Sequence, residues 1–295
     1  MALQRCDHPY RHWTFTDPAG DQEGHPADRL LVVPERGGLI TGWRCNGQER
    51  LYLDLERFRD PSLSVRGGIP VLFPICGGLP GDRLPLPQGT FPIAQHGFAR
   101  DLPWQLAPLT DGCGVELSLS DSAATRPHYP FAFRLSLAAR LEPSALALEL
   151  TVLNRGDAPL PFSLGLHPYF RVSSLEAVRI DGLPAGCIDQ TSGAAADTAE
   201  QLRRLATGVD LLASTAGPVR LCDPGFGSQL ELQATPPLDL AVVWSDPPRP
   251  MVCLEPWTAP RQALISGDRR LELAPGASCR LESRYRVSIW PQSSG

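Results

Sequence analysis

The run Leu141-Glu142-Pro143-Ser144-Ala145-Leu146-Ala147-Leu148-Glu149-Leu150-Thr151-Val152-Leu153-Asn154-Arg155-Gly156-Asp157 decides the fold. Leu146, Leu148, Leu150 and Val152 alternate with Ala147, Glu149 and Thr151. That period of two puts the large apolar side chains on one face of a strand, whereas a helix would scatter them. Asn154-Arg155-Gly156-Asp157 is a polar turn, so residues 141–160 read as one strand, a turn and the start of the next.

The same alternation recurs on either side. Leu135, Leu137, Ala139 and Leu141 alternate with Arg134, Ser136 and Arg140, and Leu281, Tyr285, Val287 and Ile289 with Arg280, Glu282, Arg284, Arg286 and Ser288. Further strands are predicted over 30–33, 39–44, 115–119, 230–233, 238–244 and 251–254, separated by turn signals such as Asn46-Gly47, Asp223-Pro224-Gly225 and Ser266-Gly267-Asp268. Helical signal is thin: a short turn over 54–60, and an ambiguous stretch over 199–213 interrupted by Gly208. The 31 prolines and 27 glycines fit many short elements, because proline ends helices and is excluded from central strands. Many strands without alternating helices predict an all-β chain, one large β-sandwich over residues 1–290 followed by a flexible tail, 291–295.

Composition narrows the function classes. A net charge of -5, with no Lys/Arg-rich run, argues against a nucleic-acid surface. No apolar run approaches the ~20 residues of a membrane helix, and the first residues lack the apolar core of a secretory signal. The eight cysteines are scattered without a C-x-x-C pair, the usage of a reducing compartment, so a cytoplasmic location is expected. There is no phosphate-binding glycine loop ending in Lys-Ser/Thr and no G-x-S-x-G elbow. His8 and His12 have the spacing of metal ligands on a helix, but Pro9 opposes a helix there; no metal and no cofactor is expected.

Two regions break the strand pattern: residues 66–100, rich in Gly and Pro, and residues 163–170, a strand that runs into His167-Pro168. Loops on a rigid β scaffold are where binding groups usually sit. Glu255 ends the apolar run 251–254, where burial would raise its pKa unless a partner such as Arg261 compensates. His167 follows Leu164-Gly165-Leu166, and its alternative reading is a core-edge histidine held by a backbone carbonyl. His96 lies between Gln95 and Gly97, where the glycine allows a sharp turn or close approach to a ligand; its alternative is a loop histidine packed under a turn.

Taken in order, Arg66-Gly67-Gly68-Ile69-Pro70-Val71-Leu72-Phe73-Pro74, His96-Gly97-Phe98-Ala99-Arg100, His167-Pro168-Tyr169-Phe170 and Leu254-Glu255-Pro256-Trp257 resemble the motifs of the aldose 1-epimerase, or galactose mutarotase-like, superfamily. The resemblance runs over most of the chain. It favours the branch with hexose-6-phosphate mutarotases, because the L-H-G-G and N-H-x-Y-F runs usual in galactose mutarotases are absent. The resemblance implies the large twisted β-sandwich of that superfamily and the interconversion of α and β anomers of an aldohexose or its 6-phosphate. It further implies His167 as general acid, Glu255 as general base, and Arg66, Gln95, His96, Arg100 and Asp210 as substrate-binding residues. The expected partner is a small sugar or sugar phosphate, with the chain a monomer or weak dimer.

Opening a cyclic hemiacetal needs a base at O1 and an acid at the ring oxygen, and closing reverses the two roles. The expectation at neutral pH is therefore a histidine of raised pKa beside an ionised glutamate, with Asp210 as the carboxylate that stabilises the imidazolium. Arg66 and Arg100 are the candidate phosphate donors; their alternative is pairing with Asp82 or Asp101. Phe73-Pro74-Ile75-Cys76-Gly77 departs from the F-P-W-F-G-like run of many relatives, which leaves free and phosphorylated sugars both open. The competing function is a non-catalytic carbohydrate-binding β-sandwich that stacks sugars on Trp244 or Trp257.

Overall fold

Phe133–Glu142 and Ala145–Asn154 pair antiparallel over their whole length in the computed structural model, which describes residues 3–17 and 26–290. Phe133, Leu135, Leu137, Ala139 and Leu141 are buried, and the residues between them are at least partly open to solvent, as the period of two predicts. This hairpin is the middle of an eight-stranded antiparallel sheet. Its order is Arg179–Asp181, Val219–Asp223, Ser228–Ala234, Ser278–Ile289, Ala145–Asn154, Phe133–Glu142, Gly114–Ser120 and Gln105–Pro108.

A second sheet runs in the order Ala194–Asp197, Gly186–Asp189, Asp210–Ser214, Leu240–Ser245, Met251–Trp257, Gly165–Leu166 and Val71–Leu72, with Tyr169–Arg171 also paired to Met251–Trp257. The two sheets share one apolar core. Leu150, Leu281 and Tyr285 from the first lie in the same cluster as Leu211, Val243, Val252 and Leu254 from the second. The Tyr285 hydroxyl donates to the Leu254 carbonyl at 2.9 Å across the interface, so a buried polar group is satisfied where the sheets meet. A five-stranded meander of Leu3–Cys6, His12–Thr16, Arg29–Val33, Leu39–Cys45 and Gln48–Glu49 joins this core through Phe15, Leu30, Ile40 and Trp43.

The all-β sandwich reading therefore holds. The 54–60 turn is a helix, Leu55–Arg59, with the Asp54 side chain accepting from the Arg57 amide. The ambiguous 199–213 stretch splits into a helix, Thr198–Leu202, and the strand Asp210–Ser214. One boundary needs correcting: the strand expected to stop at Leu254 continues through Glu255 and Pro256 to Trp257. The 291–295 tail lies outside the described residues. No helix among the described residues is long and apolar enough to cross a membrane.

Candidate active site

The Met251–Trp257 strand is buried at every position, yet its two faces differ. Val252 and Leu254 enter the core between the sheets, while Cys253, Glu255 and Trp257 share the opposite face. One flank pairs with Leu240–Ser245 from Val252 to Trp257. The other pairs with Tyr169–Arg171 at residues 251–253 and with Gly165 at Trp257. Glu255 and Pro256 thus lie opposite the interruption at His167-Pro168. A proline is tolerated where no ladder bond is asked of it on that side, which is why the strand runs on past Glu255.

The interruption brings His167 to Glu255. Leu166 and Phe170 turn into the core, and His167 and Tyr169 lie on the face that carries Glu255. The His167 ring stacks on Tyr169 with centroids 4.7 Å apart and planes 12° apart, and Trp244 meets it edge-on at 5.7 Å. His167 Nε2 stands 3.4 Å from Glu255 Oε1, and Glu255 Oε2 accepts from Trp257 Nε1 at 3.0 Å. The carbonyl-held histidine considered from sequence is not what is found: His167 Nδ1 is buried with no hydrogen-bond partner among the described residues.

Around this pair lies a cavity of about 280 Å³, near the lower end of the ~300–1,000 Å³ usual for small-molecule sites. All seven residues singled out from sequence line it: Arg66, Gln95, His96, Arg100, His167, Asp210 and Glu255. Trp244 and Trp257 line it too. Sequence reasoning missed Tyr169, Gln190 and Arg261 as site residues. Tyr169 was within reach, since it lies two residues from His167 and so shares its face.

His96 has a φ of 68°, followed by Gly97 at 71°, where a Cβ would fall 2.1 Å from the Phe73 carbonyl oxygen. Only glycine fits there. The turn lets the Gly77 amide donate to His96 Nδ1 at 3.1 Å, so the proton of the neutral ring sits on Nε2, 3.3 Å from the Gln95 side-chain amide, which accepts it when its oxygen is turned to the ring. Burial lowers the His96 pKa well below its ordinary value, consistent with that neutral form.

Asp210 is not the imidazolium's partner. Its carboxylate accepts from Arg261 Nη2 and Gln190 Nε2, each at 2.8 Å, and its charge acts on Glu255. Arg261, the alternative partner for Glu255, is thereby committed to Asp210. The pKa shifts of the pair also run opposite to the expected directions. Burial, with Arg100 and Arg66 adding to it, lowers His167 to about 3, and burial, with Asp210 adding to it, raises Glu255 well above the usual carboxylate range. Both groups are therefore driven to their neutral forms. Arg100 lies 3.9 Å from Asp101, as its alternative reading allowed, but Arg66 approaches Asp246 at 3.8 Å rather than Asp82.

His167, Cys253 and Glu255 place their ligating atoms within 4.8 Å of one another, a donor set a metal ion could use. The Cys253 thiol is pushed well up by burial, which disfavours the thiolate that metal binding requires. His12, singled out with His8, is instead a buried strand residue whose Nδ1 lies 2.7 Å from the Tyr10 carbonyl.

Comparison with known proteins identifies the family and the fold. The family model described as aldose 1-epimerase matches residues 24–286. A Salmonella typhimurium protein with the provisional name glucose-6-phosphate 1-epimerase is 31% identical over 163 residues, covering 54% of this chain and 51% of that protein. A Cenchrus ciliaris protein with the same provisional name is 30% identical over 159 residues, 50% of this chain and 45% of its own length. The chain thus spans about half the length of the curated relatives it matches. Among solved structures, the Slr1438 protein from Synechocystis sp. PCC 6803 is 35% identical with a TM-score of 0.88, covering 98% of this chain and 99% of that one. A galactose mutarotase-like protein from Lactobacillus casei ATCC 334 shares the fold at 20% identity and a TM-score of 0.76, over 93% of this chain and 100% of that one.

Proposed function

Because the chain belongs to the aldose 1-epimerase family, we propose that it is a mutarotase acting on a hexose 6-phosphate, with His167 and Glu255 as its acid–base pair. The observation that carries the reading is the 3.4 Å approach of His167 Nε2 to Glu255 Oε1 on the wall of a cavity that Arg66 and Arg100 also line. A sugar-binding module needs no such pair, and a free hexose gives two guanidinium groups nothing to neutralise.

Ring opening follows from proton bookkeeping. Glu255 as carboxylate takes the O1 proton, the C1–O5 bond breaks as C1=O1 forms, and His167 as imidazolium protonates O5. Rotation about C1–C2 presents the other face of the aldehyde. His167 then takes the O5 proton back as O5 attacks C1, and Glu255 returns its proton to O1. The neutral His167 and protonated Glu255 that burial favours are the state this cycle reaches at the open-chain sugar. The ion pair needed at the start holds the same number of protons. Gln95, His96 and the Asp210–Arg261 pair supply donors and acceptors for ring hydroxyls. Arg66 and Arg100 hold the phosphate.

The strands of both sheets interleave along the sequence, which supports reading residues 1–290 as one domain. All eight cysteines are free, in keeping with a cytoplasmic enzyme, and we read it as working without nucleic acid or membrane partners, as a monomer or weak dimer. Anomer exchange followed by proton NMR tests the reading, with glucose 6-phosphate, glucose and galactose compared against their uncatalysed rates. Acceleration mainly of glucose 6-phosphate supports it. Acceleration mainly of a free sugar reassigns the arginines to shaping the cavity, and no acceleration of any leaves a binding protein.

A further inference from the structure

Three guanidinium groups line the cavity, and they are not equivalent. Asp210 holds Arg261 at 2.8 Å, whereas the carboxylates that Arg66 and Arg100 approach stand off at 3.8 and 3.9 Å. Arg66 lies over the Trp244 ring at 5.6 Å, and that same ring meets His167. Arg100 donates to the Gln95 carbonyl, and its Nε, the atom nearest Asp101, is buried with no hydrogen-bond partner among the described residues. The titratable and charged groups facing His167 are Glu255, Cys253, Tyr169, His96 and these two arginines. Burial keeps Cys253, Tyr169 and His96 neutral. The charge around His167 is thus set by two incompletely neutralised arginines and the one proton it shares with Glu255.

We propose that a dianion seated on Arg66 and Arg100 activates the acid–base pair, so that an inorganic dianion in that seat speeds turnover of a free aldohexose that lacks its own phosphate. The inference rests on the hexose-phosphate mutarotase reading and deepens it. Ring opening begins from imidazolium and carboxylate, and the two guanidinium charges oppose the imidazolium. A bound dianion of charge about −2 offsets them in a poorly screened cavity and lets the proton move from Glu255 to His167. Nothing is consumed: one proton changes place across the 3.4 Å contact, and the dianion leaves unchanged. Each unit by which the His167 pKa recovers is worth about tenfold in the ion-paired population.

The test is anomer exchange of glucose titrated with sulfate and, separately, phosphite, at constant ionic strength and with the enzyme-free rate subtracted. Glucose 6-phosphate is run alongside. The expected result is a saturable rise in kcat/KM for glucose of about tenfold or more. The same dianions should inhibit glucose 6-phosphate turnover competitively. The stimulation should vanish in Arg66→Gln and persist in Arg66→Lys, which keeps the charge. Competition against glucose 6-phosphate without stimulation of glucose would make the seat an anchor only and overturn the inference. Stimulation by phosphite but not sulfate would make the anion itself the proton carrier, and overturn it too. No turnover of glucose 6-phosphate would instead sink the hexose-6-phosphate reading on which the inference stands.

Discussion

His167 Nε2 faces Glu255 Oε1 at 3.4 Å, with the two side chains only 10% and 1% exposed. At that separation and burial they hold one proton between them, as a neutral pair or as an ion pair, and any pH profile reports the pair rather than either residue. Trp257 Nε1 fixes the far oxygen of Glu255, so Oε1 is the oxygen left to exchange protons. The Tyr169 ring fixes the imidazole plane. The geometry is set by packing on strands, which limits the reorganisation left for the reaction itself.

Glu255→Gln keeps the size and the Trp257 bond but cannot carry the O1 proton. Turnover of glucose 6-phosphate should fall by about 10²–10⁴-fold, the range for a well-placed acid–base group, while its binding stays within a few-fold. Exchange NMR and titration calorimetry on the same preparation check both halves. Retained turnover would remove Glu255 from the mechanism.

The same substitution should change how stability depends on pH. Glu255 has a folded pKa raised above its ordinary 4.5, so the folded chain binds more protons than the unfolded one above that pH. Stability from this group is full below about 4.5 and is lost as pH rises through the folded value. Glu255→Gln does not titrate, so its thermal midpoint should gain on the native protein's between pH 5 and pH 8. A gap that stays constant or narrows over that interval would mean the carboxyl ionises as it would in water.

Arg66→Met should separate the substrates. Hydrogen bonds to charged groups contribute about 1.5–3 kcal/mol, so kcat/KM for glucose 6-phosphate should fall about 10- to 100-fold. Free glucose has no dianion to lose, and with one of the two charges that oppose the His167 imidazolium gone its kcat/KM should hold or rise. An equal loss on both sugars would point to a cavity-shaping role for Arg66.

What the sequence revealed follows from how local each signal is. The alternation of Leu146 to Val152 is read from neighbours alone, and the structure keeps it. His167 and Glu255 were found through their motif surroundings, and a strand break opposite a strand makes them meet. The directions of the pKa shifts were not legible because they depend on burial and on charges brought in from distant segments: Arg66, Arg100 and Asp210. Arg261, read from sequence only as a possible partner of Glu255, was missed as a site residue for a similar reason. It follows Glu255 by only six residues, but its partners Asp210 and Gln190 come from another part of the sheet.

Gly165 offers a test of packing without touching a titratable group. It pairs with Trp257, and a Cβ there would lie 2.6 Å from Trp257 Cδ1, with Cys76 Sγ at 3.1 Å behind it. Trp257 is 1% exposed and has little room to yield, so Gly165→Ala should cost about 1–3 kcal/mol of stability by overpacking. The indole that moves is the one donating to Glu255, so activity should fall by more than the loss of folded protein explains. Gly78→Ala is the matched control, since its Cβ would meet only the Gln95 side chain at an ordinary 3.8 Å. Denaturant melts and exchange rates per folded molecule decide the matter. If Gly165→Ala lowered stability but left that rate unchanged, Trp257 would be a wall of the cavity and not the clamp on Glu255.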